Sequence, residues 1–218
     1  MSALSGFWRR YRRNRAAVGG LVVLLAIIAM AVIGPWLYPT DPLDMVGVPF
    51  SRPFGEFLFG TDVSGRDLLA GVVHGAGVSL LIAGVAAVTS TLLGVAVGAL
   101  AGYYGGWVDD LLMRVTEYFL TIPSFVFAVV LVAIFSPTIA TVTTAIALVS
   151  WPSVARLVRG EYVAQRNREY VQACRALGMR DLEIIVAHIL PNTLPAIIVV
   201  GSLTVATAIL PESGLSVL

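Results

Sequence analysis

Lysine is absent from this 218-residue chain, and all fourteen basic residues are arginine. A phosphate-cradling loop of the Walker type needs a lysine to reach the β- and γ-phosphates, so the chain is excluded as an ATPase of that kind. Cysteine occurs once and histidine twice. That rules out an internal disulfide and leaves too few soft ligands for a dedicated metal cage. Charge is scarce too: 12% of residues are Asp, Glu, Lys or Arg, against roughly 25% in soluble domains. Ser, His and Asp nowhere gather in a pattern suited to nucleophilic catalysis. The expectation is no catalytic residue, no cofactor, no metal and no nucleic-acid partner.

What the chain has instead is apolar sequence, 58% of all residues, in long unbroken runs. A helix needs about 20 such residues to cross the hydrocarbon core of a bilayer. Five spans are predicted, Val18 to Leu37, Val78 to Gly102, Phe119 to Phe135, Thr138 to Ala155 and Leu194 to Leu210. The fold class is therefore all-α, a polytopic transmembrane helical bundle. Only Ser136-Pro137 separates the third run from the fourth, which predicts a tight helical hairpin, with a re-entrant pair as the alternative. The first run, preceded by arginines and containing Ala29-Met30-Ala31, is read as an uncleaved anchor. A signal peptide is the rival reading. In the second run Gly94, Gly98 and Gly102 recur every four residues, a spacing that lets two helix backbones approach closely.

Arginine distribution orients the spans. Arg9, Arg10, Arg12, Arg13 and Arg15 precede the first, and Arg156, Arg159, Arg166, Arg168, Arg175 and Arg180 fall between the fourth and fifth. Positively charged flanks remain in the cytoplasm, so the N-terminus and the long polar island Glu161 to Asn192 are expected there. Within the island, Asn167 is expected to cap a helix from Arg168 to Leu177, with Glu169 in its first turn and Gly178 ending it. Asp181 is expected to cap a second short helix through His188, with Pro191 opening the next span. Val171, Cys174 and Leu177 form one apolar stripe, and Leu182, Ile185, Val186 and Ile189 another. Stripes so narrow must meet either the ends of their own spans or a partner groove.

Gln172-Ala173-Cys174, Gly178 and Leu190-Pro191 fall at the spacing of the EAA loop, and the segment resembles that loop in permeases of binding-protein-dependent ABC importers. The wording of Arg168 to Gly178 and His188 to Asn192 is similar to the dipeptide, oligopeptide and nickel branch, most of all its C-type dipeptide permeases. FWRRYRRNRAA at the start, GTDVSGRDLL at Gly60–Leu69, GYYGGWVDDLLMR at Gly102–Arg114 and WPSVARLVRGE at Trp151–Glu161 extend the likeness along the chain. The resemblance implies a type I importer permease fold and a division into residues 1–17, an Arg-rich cytoplasmic segment; 18–37, the anchor; 38–77, an extracytoplasmic loop; and 78–218, the transporter domain with its coupling loop at 158–192.

It further implies that Glu169, Gln172, Ala173, Cys174, Ala176, Leu177, Gly178, Leu190 and Pro191 form the ATPase-coupling loop. The implied partners are a second homologous permease, two cytoplasmic ABC ATPase subunits, an extracytoplasmic solute-binding protein and the bilayer of the bacterial inner membrane. The implied cargo is a dipeptide or oligopeptide, with nickel chelates or glutathione as alternatives. Thr61, Asp62, Arg66 and Asp67 belong to the loop that would face the binding protein, although their short polar side chains beside Gly65 also suit turn formation. Three departures stand out. Gln172 replaces an acidic residue, Gly77 stands where arginine is common, and the chain ends where a sixth span would follow. The expectation there is a C-terminally truncated permease, or a non-transporting membrane subunit. A secondary transporter would need an ionisable residue near a span centre, and none is found; Asp110, Arg114 and Glu117 are spaced to pair along one helix face at a membrane boundary.

Overall fold

A computed structural model describes residues 11–136 and 138–215. Arg9, Arg10, Pro137 and the last three residues lie outside them. The helices in chain order are α1 (Arg15–Leu37), α2 (Leu68–Tyr104), α3 (Gly106–Thr121), α4 (Ser124–Ile134), α5 (Ile139–Arg166), α6 (Glu169–Ala176), α7 (Asp181–Glu183) and α8 (Leu190–Leu215). A π-helical stretch, Ile184–Ile189, joins α7 to α8. Among the described residues four helices are long and apolar enough to cross a membrane, five counting α3 and α4 together as one bent span. The residues fall into two compact units divided between Leu80 and Leu81, inside α2.

In the first unit, Asn14 caps α1 by accepting a hydrogen bond from the Ala17 amide, 3.2 Å away. Gly34 of α1 lies against Val73 of α2, where an added Cβ would stand 2.6 Å from the valine methyl. Gly77 faces the Ala31 carbonyl of the same helix. An added Cβ there would stand 3.6 Å from that carbonyl, an ordinary contact, so the close approach lies at Gly34. Helix α2 begins at Leu68, so the connecting loop is 38–67 and ends ten residues before the boundary expected at Gly77.

In the second unit, α2 and α5 run side by side in the same direction. Gly94 meets Trp151 and Val154, Gly98 meets Ala155 and Arg159, and Gly102 meets Arg159 and Tyr162. An ideal Cβ on Gly94 or Gly102 would stand 2.9 Å from the Trp151 carbonyl or 2.7 Å from that of Arg159. No side chain fits, and backbone meets backbone. In hydrocarbon the hydrophobic effect gives no net drive between helices, so dispersion at such close range carries the association.

Parallel packing of α2 and α5 fixes the path between them. The chain must return to the starting side, so α3 and α4 together make one crossing. They do so as a broken element. The single straight span expected over Phe119 to Phe135 is interrupted, with α3 and α4 bent by 83°. Pro123 lacks an N–H and forces the residue before it out of helical geometry, and Ile122 accordingly sits at φ −86°, ψ 128°. At eleven residues α4 is about 16 Å long, half a crossing, and packs on α5 as the outgoing arm of a hairpin.

Charge pairing also differs from expectation. Among the described residues Asp110, Arg114 and Glu117 form no ion pair; Asp109 of α3 instead takes the Arg159 guanidinium through both oxygens, Nε and Nη2 each at 2.5 Å. Two apolar clusters hold the unit, one joining α2, α4, α5 and α8, the other beneath the connection between α5 and α8.

Gly98→Ala is expected to lower thermal stability in detergent by about 1–3 kcal/mol, the usual cost of overpacking. Gly160→Ala, where nothing lies within 4 Å of the added methyl, is expected to be neutral or slightly stabilising. Equal melting shifts for the two variants would contradict the close-approach assignment.

Candidate functional site: the helical elbow

The island between α5 and α8 folds into two helical segments meeting at Gly178. Two of its boundaries differ from expectation. Asn167 closes α5 instead of opening α6, whose N-cap is Arg168. The Asn167 carbonyl accepts from the Gln172 side-chain amide at 3.2 Å. Gly178 adopts φ +76°, the left-handed geometry that glycine enters without steric penalty, and the Met179 amide closes back on the Cys174 carbonyl at 3.2 Å.

The second short helix is not separate. Arg180, not Asp181, is the N-cap residue, and the helix runs unbroken from Asp181 through the π turns into α8. His188 thus sits inside a continuous helix and not at an end. Proline lacks the amide for an α-helical bond, and its ring collides with the carbonyl four residues back. The wider π turn just ahead of Pro191, where the Leu190 amide reaches Ile185, accommodates that ring.

One face of the elbow is buried on the chain's own spans. Val171, Cys174, Ile184, Ile185 and Ile189 pack with Tyr103 of α2, and with Val158 and Tyr162 of α5. Each fully buried aliphatic side chain contributes about 1.5–3 kcal/mol relative to exposure. The Tyr162 hydroxyl donates to the Ile185 carbonyl at 3.2 Å.

A polar clamp missed in the sequence reinforces the joint. The hydroxyl of Tyr103 donates to the Asp181 carboxylate at 2.6 Å, while the Arg175 guanidinium lies 5.0 Å over the Tyr103 ring. Arg166 donates to the Gly102 carbonyl at 3.2 Å. The end of α2, the end of α5 and both arms of the elbow are thereby tied on one side. Only the pair Tyr103-Tyr104 beside Gly102 hinted at this, since aromatic hydroxyls at a span end seek a partner.

The other face is open. Leu177 is 81% exposed, Leu182 64% and Val186 57%, and Glu169, Gln172, Ala173, Ala176, Gly178 and Pro191 are exposed with them. Each predicted stripe therefore splits, half against the chain's own spans and half outward. Leu190 is half-buried beneath the joint.

The loop residues sit in the first unit and bond within their own loop or to the first turn of α2. The Thr61 hydroxyl donates to the Val48 carbonyl at 2.6 Å and accepts from the Ser51 amide at 2.8 Å. Asp62 accepts from the amides of Ser64 and Arg66, at 2.7 and 2.9 Å. Asp67 accepts from the Leu69 amide at 2.8 Å and from the Tyr38 hydroxyl. The Arg66 backbone pairs with Met45 in an isolated antiparallel bridge. The Arg66 amide foremost, then that of Ser64, holds the Asp62 carboxyl below the usual aspartate range despite some desolvation.

Comparison with known proteins identifies the family. Residues 94–218 match the family described as binding-protein-dependent transport system inner membrane component. Residues 2–49 match the N-terminal TM domain of oligopeptide transport permease C. The chain is 39% identical over 215 residues to the dipeptide transport system permease protein DppC of Bacillus subtilis (strain 168), covering 97% of this chain and 66% of that protein. It is 38% identical over 224 residues to the di/tripeptide transport system permease protein DppC of Pseudomonas aeruginosa (strain UCBPP-PA14), covering 100% and 74%. To the oligopeptide transport system permease protein OppC of Haemophilus influenzae it is 39% identical over 215 residues, covering 96% and 68%. The chain thus spans two thirds to three quarters of the length of these relatives.

Tyr103→Phe is expected to weaken the joint by about 1–2 kcal/mol, a roughly five- to thirtyfold rise in local opening. Faster amide hydrogen exchange across 169–189 would register it, and unchanged exchange would remove the clamp from the account. For the loop, a carboxyl whose folded pKa is depressed contributes stability above its unfolded pKa, near 3.9. That stability is lost as pH falls through the folded value. Protease clipping of 45–67 is therefore expected to rise below about pH 4, and Asp62→Asn, which keeps an accepting oxygen, to flatten that dependence.

Proposed function

Because this chain belongs to the family of binding-protein-dependent transport system inner membrane components, we propose that it is a permease subunit of an ATP-driven importer of dipeptides or oligopeptides. It forms part of the translocation pathway in the bacterial inner membrane, N-terminus inside. Its partners are a second permease, two ATPase subunits on the cytoplasmic side and an extracytoplasmic solute-binding protein that meets the 38–67 loop. Peptide cargo follows from the transport named for the three relatives above.

The observation carrying this reading is the divided surface of the elbow. Its inner face is anchored on α2 and α5, while Ala173, Leu177, Leu182 and Val186 stand outward around Gly178. That outward apolar strip is the part that docks into an ATPase groove. Gln172 is turned back onto Asn167 and Arg175 lies over Tyr103, so Glu169 is the exposed acid left to meet the ATPase from α6. ATP supplies the difference in affinity that a two-state switch needs. Closure of the ATPases draws the two permeases' elbows together and turns the pathway from inward- to outward-facing.

Ala173→Asp and Gly178→Arg are each expected to abolish co-purification of the ATPase and peptide uptake while the chain stays in the membrane. A charge left unpaired in the docked interface and a non-glycine residue in left-handed geometry are the respective causes. Retained binding and uptake in both would overturn the docking assignment. Labelling of Leu177→Cys in intact cells by a membrane-impermeant thiol reagent would overturn the orientation.

A further inference from the structure

A cavity of about 360 Å³ opens between α4, α5 and α8 and carries five hydroxyl side chains, Ser124, Ser150, Ser153, Thr204 and Thr207. Its size falls in the range of small-molecule sites, roughly 300–1,000 Å³. Ser150 lies eleven residues past the start of α5, about 17 Å along the axis, near the middle of a bilayer core about 30 Å thick. The wall also contains the first residue of α4, where the third span breaks. Interrupted helices are tolerated at membrane depth where they are buried in protein or line a water-filled cavity.

The hydroxyls divide into two kinds. Thr143, Thr144, Ser202, Thr204 and Thr207 bond back to carbonyls three or four residues earlier in their own helices, at 2.6–3.2 Å. That is the usual way a hydroxyl becomes tolerable in hydrocarbon. The side-chain hydroxyls of Ser124, Ser150 and Ser153 make no hydrogen bond among the described residues. An unsatisfied hydroxyl shut away from water costs about 1–3 kcal/mol. All three instead open on this one cavity. Pro211 in its wall also leaves the Thr207 carbonyl without the amide that would close on it.

We infer that this cavity is a hydrated contact site for the transported solute, and that the solute it fits is an uncharged stretch of extended peptide backbone. The ligand class rests on the permease reading above. Serine hydroxyls both donate and accept, matching the alternating C=O and N–H of a peptide. No ionisable side chain lines the cavity, so it offers no fixed charge that would pair with one sign of peptide side chain over the other.

The single native cysteine, Cys174, is buried and permits a clean test in membranes holding the complete importer. With Cys174 left in place and the labelling of the parent chain subtracted, Ser150→Cys and Ser153→Cys are treated with a charged, water-soluble thiol reagent, with Ser202→Cys on α8 as the carbonyl-bonded control. The expected result is labelling at least about tenfold faster at 150 and 153 than at 202, since apolar surroundings suppress the thiolate. A transported tripeptide, with binding protein and ATP, is expected to slow that labelling. Equal rates at all three positions, or no protection by peptide, overturn the site. Parent membranes without ATP-dependent peptide uptake overturn the permease reading and the assigned ligand together. Uptake in the parent with unreactive serine replacements overturns the cavity alone. Ser150→Leu, which fills the cavity, is expected to abolish uptake while the ATPase still co-purifies.

Discussion

The contact on which everything else depends is the parallel approach of α2 and α5 through Gly94, Gly98 and Gly102. Backbone carbonyls of Trp151, Ala155 and Arg159 occupy the space where side chains would stand. The direction of that packing places the ends of both helices on one side, sends the intervening chain back across, and sets the elbow beneath the joined ends. Moving the two helices apart by the width of a methyl group would separate Gly102 from Arg166 and Tyr103 from Asp181 together. Stability and site geometry therefore rest on the same three positions.

The two faces of the elbow illustrate division of a single amphipathic pattern. Spacing alone put Val171, Cys174 and Leu177 on one stripe, and in periodicity they are equivalent. Burial separates them, because Val171 and Cys174 sit over the ends of α2 and α5 while Leu177 projects past the left-handed turn at Gly178. Ile185 and Val186 part in the same way. A stripe that satisfies its own spans first leaves only the remainder for a partner, which keeps the outward patch small.

Much of this was legible in the residues. Apolar runs marked the helices, the glycine period marked a close contact, and Gly178 marked the turn because few other residues enter positive φ cheaply. Errors came where one local signal had two outlets. Asn167 is as good at ending a helix as at beginning one, and α5 reached it first. Pro191 reads as a helix start, yet a π turn absorbed it. Pro123 lies inside an apolar run, and its steric effect on Ile122 breaks the span. Spacing along one helix favours Asp110 and says nothing of the guanidinium on another helix that Asp109 takes. Tyr103–Asp181 spans 78 positions, a separation at which no local pattern operates.

The uninterrupted helix from Asp181 to Leu215 has a mechanical meaning. Thirty-five residues at 1.5 Å each make a strut about 50 Å long, with its foot in the elbow and its shaft beside the hydroxyl-lined cavity. Where a flexible linker would let one end swing while the other stayed still, a strut carries tilt and rotation along its whole length. Force applied at the foot reaches Thr204 and Thr207 with no loop between, and any bending is confined to the π turns at Ile184–Ile189 and to Pro195.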